Sequence, residues 1–219
     1  MKIVSAHYEQ FGPFVDVSLT LADRGLVLIQ GENQVSSSAD SNGSGKSFLL
    51  EGIVYALFGK TIRYDLAGEA TGDRIVNTRT GPTPGKNCAV TVTLDNDGQA
   101  VTVTRYRKHK GGKNSVRVEV DGIDYTRGTN KETDRFIEEL LGLDFNSFVR
   151  SVYFDGNAIV PFPTLSDKEI KAIFEKVLGL DDLTKVSAVV KEKLRAARGT
   201  LTGLENEIKL QAAERSTAN

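Results

Sequence analysis

Asn42-Gly43-Ser44-Gly45-Lys46-Ser47, running into the apolar residues Phe48-Leu49-Leu50, is the stretch whose residue types point to a ligand. Glycines let backbone N–H groups turn inward around phosphate oxygens. A lysine at the place of Lys46 reaches the β- and γ-phosphates, and a hydroxyl at the place of Ser47 holds Mg²⁺. A helix starting here aims its positive end at the same anion. One place departs from the full pattern: its first glycine is replaced by Asp40. The nearest upstream glycine is Gly31, separated by the insert Glu32–Ser41 with its Ser36-Ser37-Ser38 run. Cofactor-binding residues are therefore expected at Gly31, Asn42, Gly43, Ser44, Gly45, Lys46, Ser47 and Phe48, with Lys46 also catalytic and Ser47 a metal ligand. The competing reading is a flexible Ser/Gly loop between two elements.

A phosphate loop needs a strand before it and a helix after it. Gly25-Leu26-Val27-Leu28-Ile29-Gln30-Gly31 is a short apolar run between glycines, the pattern of a buried parallel strand. After the loop, Leu49, Leu50, Ile53, Val54, Ala56, Leu57 and Phe58 predict a helix stopped by Gly59. Upstream, Lys2–Tyr8 and Val15–Leu21 alternate as strands around the turn Gly12-Pro13. Downstream of a polar, glycine-rich passage at Lys60–Lys86, three strands form a meander: Ala89–Leu94, Ala100–Lys108 and Ser115–Val120. Their short turn-forming links predict antiparallel hairpins.

From Lys131 the period becomes helical and ends at Gly142. Phe145–Val149 predicts a second short helix and Ser151–Phe154 a buried strand. Pro161 and Pro163 precede a helix at Ser166–Leu178 with a Ser166/Glu169 capping box. Val190, Leu194, Ala197, Leu201, Leu204 and Ile208 then follow the four-three spacing of a coiled-coil seam. From Leu183 to Arg215 such a helix would extend about 50 Å. An ordinary amphipathic helix is the alternative, and Gly199 and Gly203 each weaken the helix by about 1 kcal/mol.

Composition narrows the function classes. The 219 residues suffice for one sizeable domain plus an appendage, and the net charge of −1 gives no global attraction to nucleic acid or membrane. Any polyanion contact must be a local patch, and Arg105, Arg107, Lys108, His109, Lys110, Lys113 and Arg117 crowd one hairpin. That hairpin is either a DNA phosphate contact or a charged edge strand. Cys88 is the single cysteine, which excludes a disulfide framework and a cysteine-based zinc site. No apolar run approaches the length of a membrane span. The expected location is the cytoplasm.

Together these features resemble the SMC-like DNA repair ATPases of the SbcC and Rad-fifty kind, including the ATPase subunit of phage recombination endonucleases. The residues that carry the resemblance are Met1-Lys2-Ile3, Gln10-Phe11-Gly12, Leu28–Asn33, Asn42–Glu51, Ala56–Thr61, Asp73–Asn77, Leu141–Asp144, Phe148–Tyr153 and Leu178-Gly179-Leu180. The resemblance implies an α/β fold: the N-terminal lobe of an ABC-ATPase-like P-loop NTPase with an antiparallel β meander, followed by a coiled-coil helix. It implies ATP and Mg²⁺ as cofactors. Its implied partners are the C-terminal half of the same head, a second head in a homodimer, a nuclease subunit and DNA.

In that family the C-terminal half supplies the signature motif, Walker B carboxylates and switch histidine. None is matched here, so the chain is expected to be an N-terminal half, truncated or naturally split. The expected divisions are 1–165 for the P-loop lobe, 166–182 for a connecting helix and 183–219 for the start of the coil. The family's usual glutamine after the strand at Ser151–Phe154 is missing, Gly156 standing near its place. Asp155 or Asn157 could supply the oxygen instead. Without the family, Val152-Tyr153-Phe154-Asp155 also reads as a Walker B strand with Asp155 on the metal. A turn-capping carboxylate is the alternative.

Two other functions compete. A stand-alone P-loop GTPase or kinase could use Asp95-Asn96-Asp97-Gly98 and Asn130-Lys131-Glu132-Thr133, although Thr133 stands where guanine recognition needs aspartate. A coiled-coil interaction module with a vestigial loop is the other.

Overall fold

The computed structural model describes residues 1–32, 44–65, 68–153, 166–168, 170, 171, 174 and 181–217. They group into two compact units, Met1–Ser166 and Asp167–Asn219. In the first, six strands form one antiparallel sheet: β1 (Lys2–Phe11), β2 (Phe14–Thr20), β3 (Cys88–Asn96), β4 (Gln99–Arg107), β5 (Val116–Val120) and β6 (Ile123–Asp124). Their order across the sheet is β2-β1-β3-β4-β5-β6. The N-terminal hairpin thus joins the meander edge to edge, with Tyr8 opposite both Val17 of β2 and Val90 of β3.

Alternation decides which face is covered. Ala6 and Tyr8 of β1, Val90, Val92 and Leu94 of β3, Val101 and Val103 of β4, and Val116 and Val118 of β5 are buried. Most of the residues between them are polar: Ser5, His7, Thr91, Thr93, Thr102 and Thr104. The apolar face carries α1 (Lys46–Phe58), whose residues Glu51 to Phe58 are all buried. A helix apolar nearly all round must be enclosed. α1 packs on β1, β3 and β4, is followed by the single turn α2 (Ile62–Asp65), and also meets α3 (Asn130–Leu141) and α4 (Phe145–Ser151). Phe58 at its end sits 6.0 Å from the Phe145 ring and 5.2 Å from that of Phe148. Gly59 ends α1 at φ 67°, and Gly142 ends α3 at φ 64°, the left-handed geometry that glycine adopts freely.

Three expectations fail. The run Leu26–Ile29 is not a buried parallel strand: it pairs with no strand among the described residues, and Leu26 and Leu28 are 102% and 79% exposed. Among the described residues the sheet is wholly antiparallel and α1 lies on its apolar face, so no strand or helix described in this unit covers the run. Ser151–Phe154 is not a strand through its described part. Ser151 closes α4, Val152 caps it in a helical conformation, and Val152 is 50% exposed. Here the (i, i+4) bond from Val152 N to Phe148 O extends the helix through an apolar stretch too short to signal its own period. The basic hairpin is not an edge: β4 is an interior strand, and Arg105 is buried.

In the second unit, α5 (Asp181–Thr217) is a 37-residue helix, about 55 Å long. Val190, Leu194, Ala197, Leu201 and Leu204 of the expected seam are exposed, and Ile208 lies outside the described side chains. The long helix is present. Of the expected helix at Ser166–Leu178, residues 167, 168, 170, 171 and 174 are helical, and Glu169 of its capping box lies outside the described residues.

Candidate phosphate-binding cleft

The phosphate loop is built around three glycine contacts. Gly45 caps α1 at φ 91°, ψ 4°, and a Cβ there would come within 2.9 Å of Pro13 Cγ. A Cβ at Gly12 (φ 52°) would overlap the Phe48 ring, and one at Gly31 would overlap Ser44 Oγ and approach Lys46 Cγ to 3.3 Å. Gly31 therefore lies against the loop's end although thirteen positions separate it from Ser44. The glycine upstream of the Glu32–Ser41 insert thus lies against Ser44, where the described part of the phosphate loop begins. Lys46 Nζ donates to Ser44 Oγ at 3.4 Å, and Ser47 is exposed at the start of α1. The first turn of α1 carries no acidic residue, so the helix brings no negative charge of its own to the end that favours anions.

These residues open onto a cleft of about 680 Å³ lined by Gly12, Pro13, Ser44–Phe48, Arg63, Arg74 and 76–80. The far wall was not legible as a site. It is held by Asn77, which is buried and spends its side chain on geometry. Asn77 Oδ1 accepts from Arg79 N (2.9 Å) and Thr80 N (3.1 Å), while Nδ2 donates to Phe14 O (3.2 Å) and Thr80 Oγ1 (3.0 Å). Asn77 N also donates to Gln10 O at 2.8 Å, and Gly12 N to Ile75 O at 2.6 Å. The loop is thereby strapped to the tip of the β1–β2 hairpin, facing the phosphate loop. An Asx turn at Asn77-Thr78-Arg79-Thr80 was the available signal.

Of the expected site residues, the structure brings Gly31, Ser44, Gly45, Lys46, Ser47 and Phe48 together. Asn42, Gly43, Asp155 and Asn157 lie outside the described residues. The set fits a nucleotide's phosphates: loop glycines with no room for side chains, a lysine, a hydroxyl and a helix N-terminus. The metal-type cluster among the described residues is elsewhere, on β1 and β2. There His7 Nε2 lies 3.3 Å from Asp16 Oδ1 and Nδ1 lies 3.9 Å from Glu9 Oε1, all solvent-accessible.

The basic hairpin is largely neutralised. Arg105 donates from Nε to Ala56 O (3.1 Å) and from Nη2 to Leu57 O (3.3 Å) and Asp134 Oδ1 (2.7 Å). It supplies the cation that the C-terminal carbonyls of α1 lack on their own helix. Arg107 and Lys108 both bind Asp73, at 2.6 and 2.8 Å, and Arg117 pairs with Glu119 and Asp124. The GTPase-like motifs are structural too. Asp95 closes the β3–β4 turn through Gly98 N at 2.7 Å. Asn130 links α3 to β5 through Val116 N, and Thr133 is buried with its hydroxyl on Thr129 O.

The model of the AAA domain family matches residues 5–218, and nucleotide binding is what that family implies. The DNA double-strand break repair Rad50 ATPase of Methanocaldococcus jannaschii is 27% identical over 186 residues, 85% of this chain and 16% of that protein. The SbcC component of the SbcCD nuclease of Deinococcus radiodurans is 34% identical over 115 residues, 50% of this chain and 12% of that protein. Exonuclease subunit 2 of Escherichia phage RB69 is 26% identical over 155 residues, 70% of this chain and 25% of that protein. The chain thus spans a quarter or less of the length of these relatives. No helix among the described residues is long and apolar enough to cross a membrane.

Proposed function

We propose, for a chain that belongs to the AAA domain family over residues 5–218, that it is the ATP-binding half of an SMC-like ATPase head. That head would act in DNA double-strand-break repair or recombination with a nuclease subunit. The observation that carries the reading is the convergence of Gly31, Ser44 and Lys46 at the N-terminus of the enclosed helix α1, facing an open cleft. In this reading residues 1–165 form the nucleotide lobe, 166–182 a connecting helix and 183–219 the start of a coiled coil.

The chain's own part is binding and charge placement. Lys46 holds the β- and γ-phosphate oxygens, and the amides at the start of α1 hold the remainder. Ser47, with Asp155 or Asn157 as second candidates, holds Mg²⁺. When bound, the metal draws off charge that develops on the transferred phosphoryl group. The wall from Asn77 to Thr80 receives the nucleoside side. The groups that orient the attacking water come from a complementary half, and dimerisation across two nucleotides completes each site. The exposed run Leu26–Ile29 favours this incompleteness over a stand-alone NTPase, because a self-sufficient nucleotide fold buries the strand that leads into its loop.

Titration of the chain with a fluorescent ATP analogue and Mg²⁺ tests the reading. Lys46→Ala is expected to weaken binding at least about tenfold, the scale of a lost charge-assisted contact. Equal affinity in the folded variant would overturn it, as would multiple turnover by the isolated chain at rates typical of complete ATPases.

A further inference from the structure

Arg63 lines the same cleft as Lys46 and Ser47. Its guanidinium lies over the Phe48 ring, 4.7 Å from the centroid, and its Nε contacts Glu51 Oε1 at 3.4 Å. Both anchors belong to the first two turns of α1, so the charge is held beside the end of the helix that takes anions. The two partners differ sharply in burial. The Glu51 side chain is 2% exposed and that of Arg63 is 46% exposed. A carboxylate buried to that degree holds its cation in place, and the aromatic face keeps the guanidinium flat. The contact to Glu51 runs through Nε, and among the described residues the two Nη groups of this half-exposed side chain have no hydrogen-bond partner, so they can meet a ligand in the cleft. Arg74, on the same cleft, is anchored differently. It pairs with exposed Glu69 and lies 5.3 Å from the Tyr64 ring, with no partner on α1 among the described residues.

We propose that Arg63 is a second nucleotide-binding cation, donating through its Nη groups to phosphate oxygens of the nucleotide that Lys46 holds. Glu51 and Phe48 act as positioning residues that preset its plane. This inference rests on the nucleotide reading of the cleft and adds a residue that the phosphate-loop pattern does not contain. Arg63 is suited to this by its fork of donors, which engages two phosphate oxygens at once where a lysine offers a point charge.

The test titrates ATP and ADP analogues against the chain and its Arg63→Gln, Arg63→Lys and Lys46→Ala variants, with thermal melting alongside. The Arg63→Gln variant should bind ATP about tenfold more weakly, and Arg63→Lys should recover part of that loss. Removing Arg63 also leaves Glu51 without this counter-charge, so the double variant Glu51→Gln/Arg63→Gln separates the two roles. In it the melting temperature should return toward that of the parent while nucleotide affinity stays as low as in Arg63→Gln. If affinity recovers together with stability, Arg63 serves only Glu51 and the proposal fails. It also fails if folded Arg63→Gln binds like the parent while Lys46→Ala does not. If Lys46→Ala binds like the parent, it is the nucleotide reading of the cleft that falls.

Discussion

At the scale of single residues, the charged side chains with the strongest physical claims are not the ones on the surface. Arg105 is the clearest case: a guanidinium buried against two carbonyls of α1 and Asp134, with Tyr55 nearby. Replacing it with alanine strands those acceptors and is expected to destabilise the unit by about 3 kcal/mol, read as a fall in the urea midpoint at unchanged slope. A neutral outcome would mean that water replaces the arginine at the α1 terminus. Asp73 gives a pH signature. Hydrogen bonds from Lys108 first, then Arg107, hold its carboxyl below the usual carboxylate range. The pair therefore contributes stability above the unfolded pKa near 4 and loses it as the pH falls through the lower folded value. Asp73→Asn should lower the melting temperature slightly at pH 7, and the gap to the parent should close below pH 4. A gap that widens in acid would contradict the assignment. The effect is small because the carboxyl is half exposed.

At the scale of elements, legibility followed period and punctuation. The helices ending at Gly59 and Gly142 and the strands alternating between turn residues stand within a few positions of their expected places. The reason is local, since left-handed caps and two-residue turns are encoded where they occur. Two short apolar runs, Gly25–Gly31 and the described part of Ser151–Phe154 (residues 151–153), depart from the expected strands because an apolar run of that length fits a strand, a helix turn or an uncovered segment equally. Helix α1 shows what sequence alone could not convey. Gly52 faces Tyr8, and a Cβ there would run into the phenol ring, whose hydroxyl donates to Leu49 O at 2.6 Å. Gly52→Ala, a favourable change in an isolated helix, should instead cost about 1–3 kcal/mol here through displacement of α1 from β1. A stabilised variant in thermal melting would show that the helix can shift without loss. Such a shift would also move Lys46 and Ser47 against the cleft wall, so nucleotide affinity should fall with stability.

For the whole molecule, the exposed run Leu26–Ile29 marks where the unit is open. Hydrogen exchange should show amides 26–29 exchanging without protection in the isolated chain and becoming protected when a complementary half is added. Leu28→Lys should leave the melting temperature of the isolated chain unchanged, because the side chain touches little, and should impair reconstitution. Protection of this run in the isolated chain would remove the argument for a missing half. The loop leading into α1 was legible because it rests on a few residue types at fixed spacing, and the meander and long helix because each has its own period. The sequence by itself determined these. Tertiary structure decided the rest: that Gly31 closes on Ser44 across an insert, that Asn77 builds the opposite wall, that Arg105 is internal, and that Arg63 stands beside the loop. Each depends on contacts between residues far apart in the chain, and packing, not spacing, sets which distant side chains share a cleft.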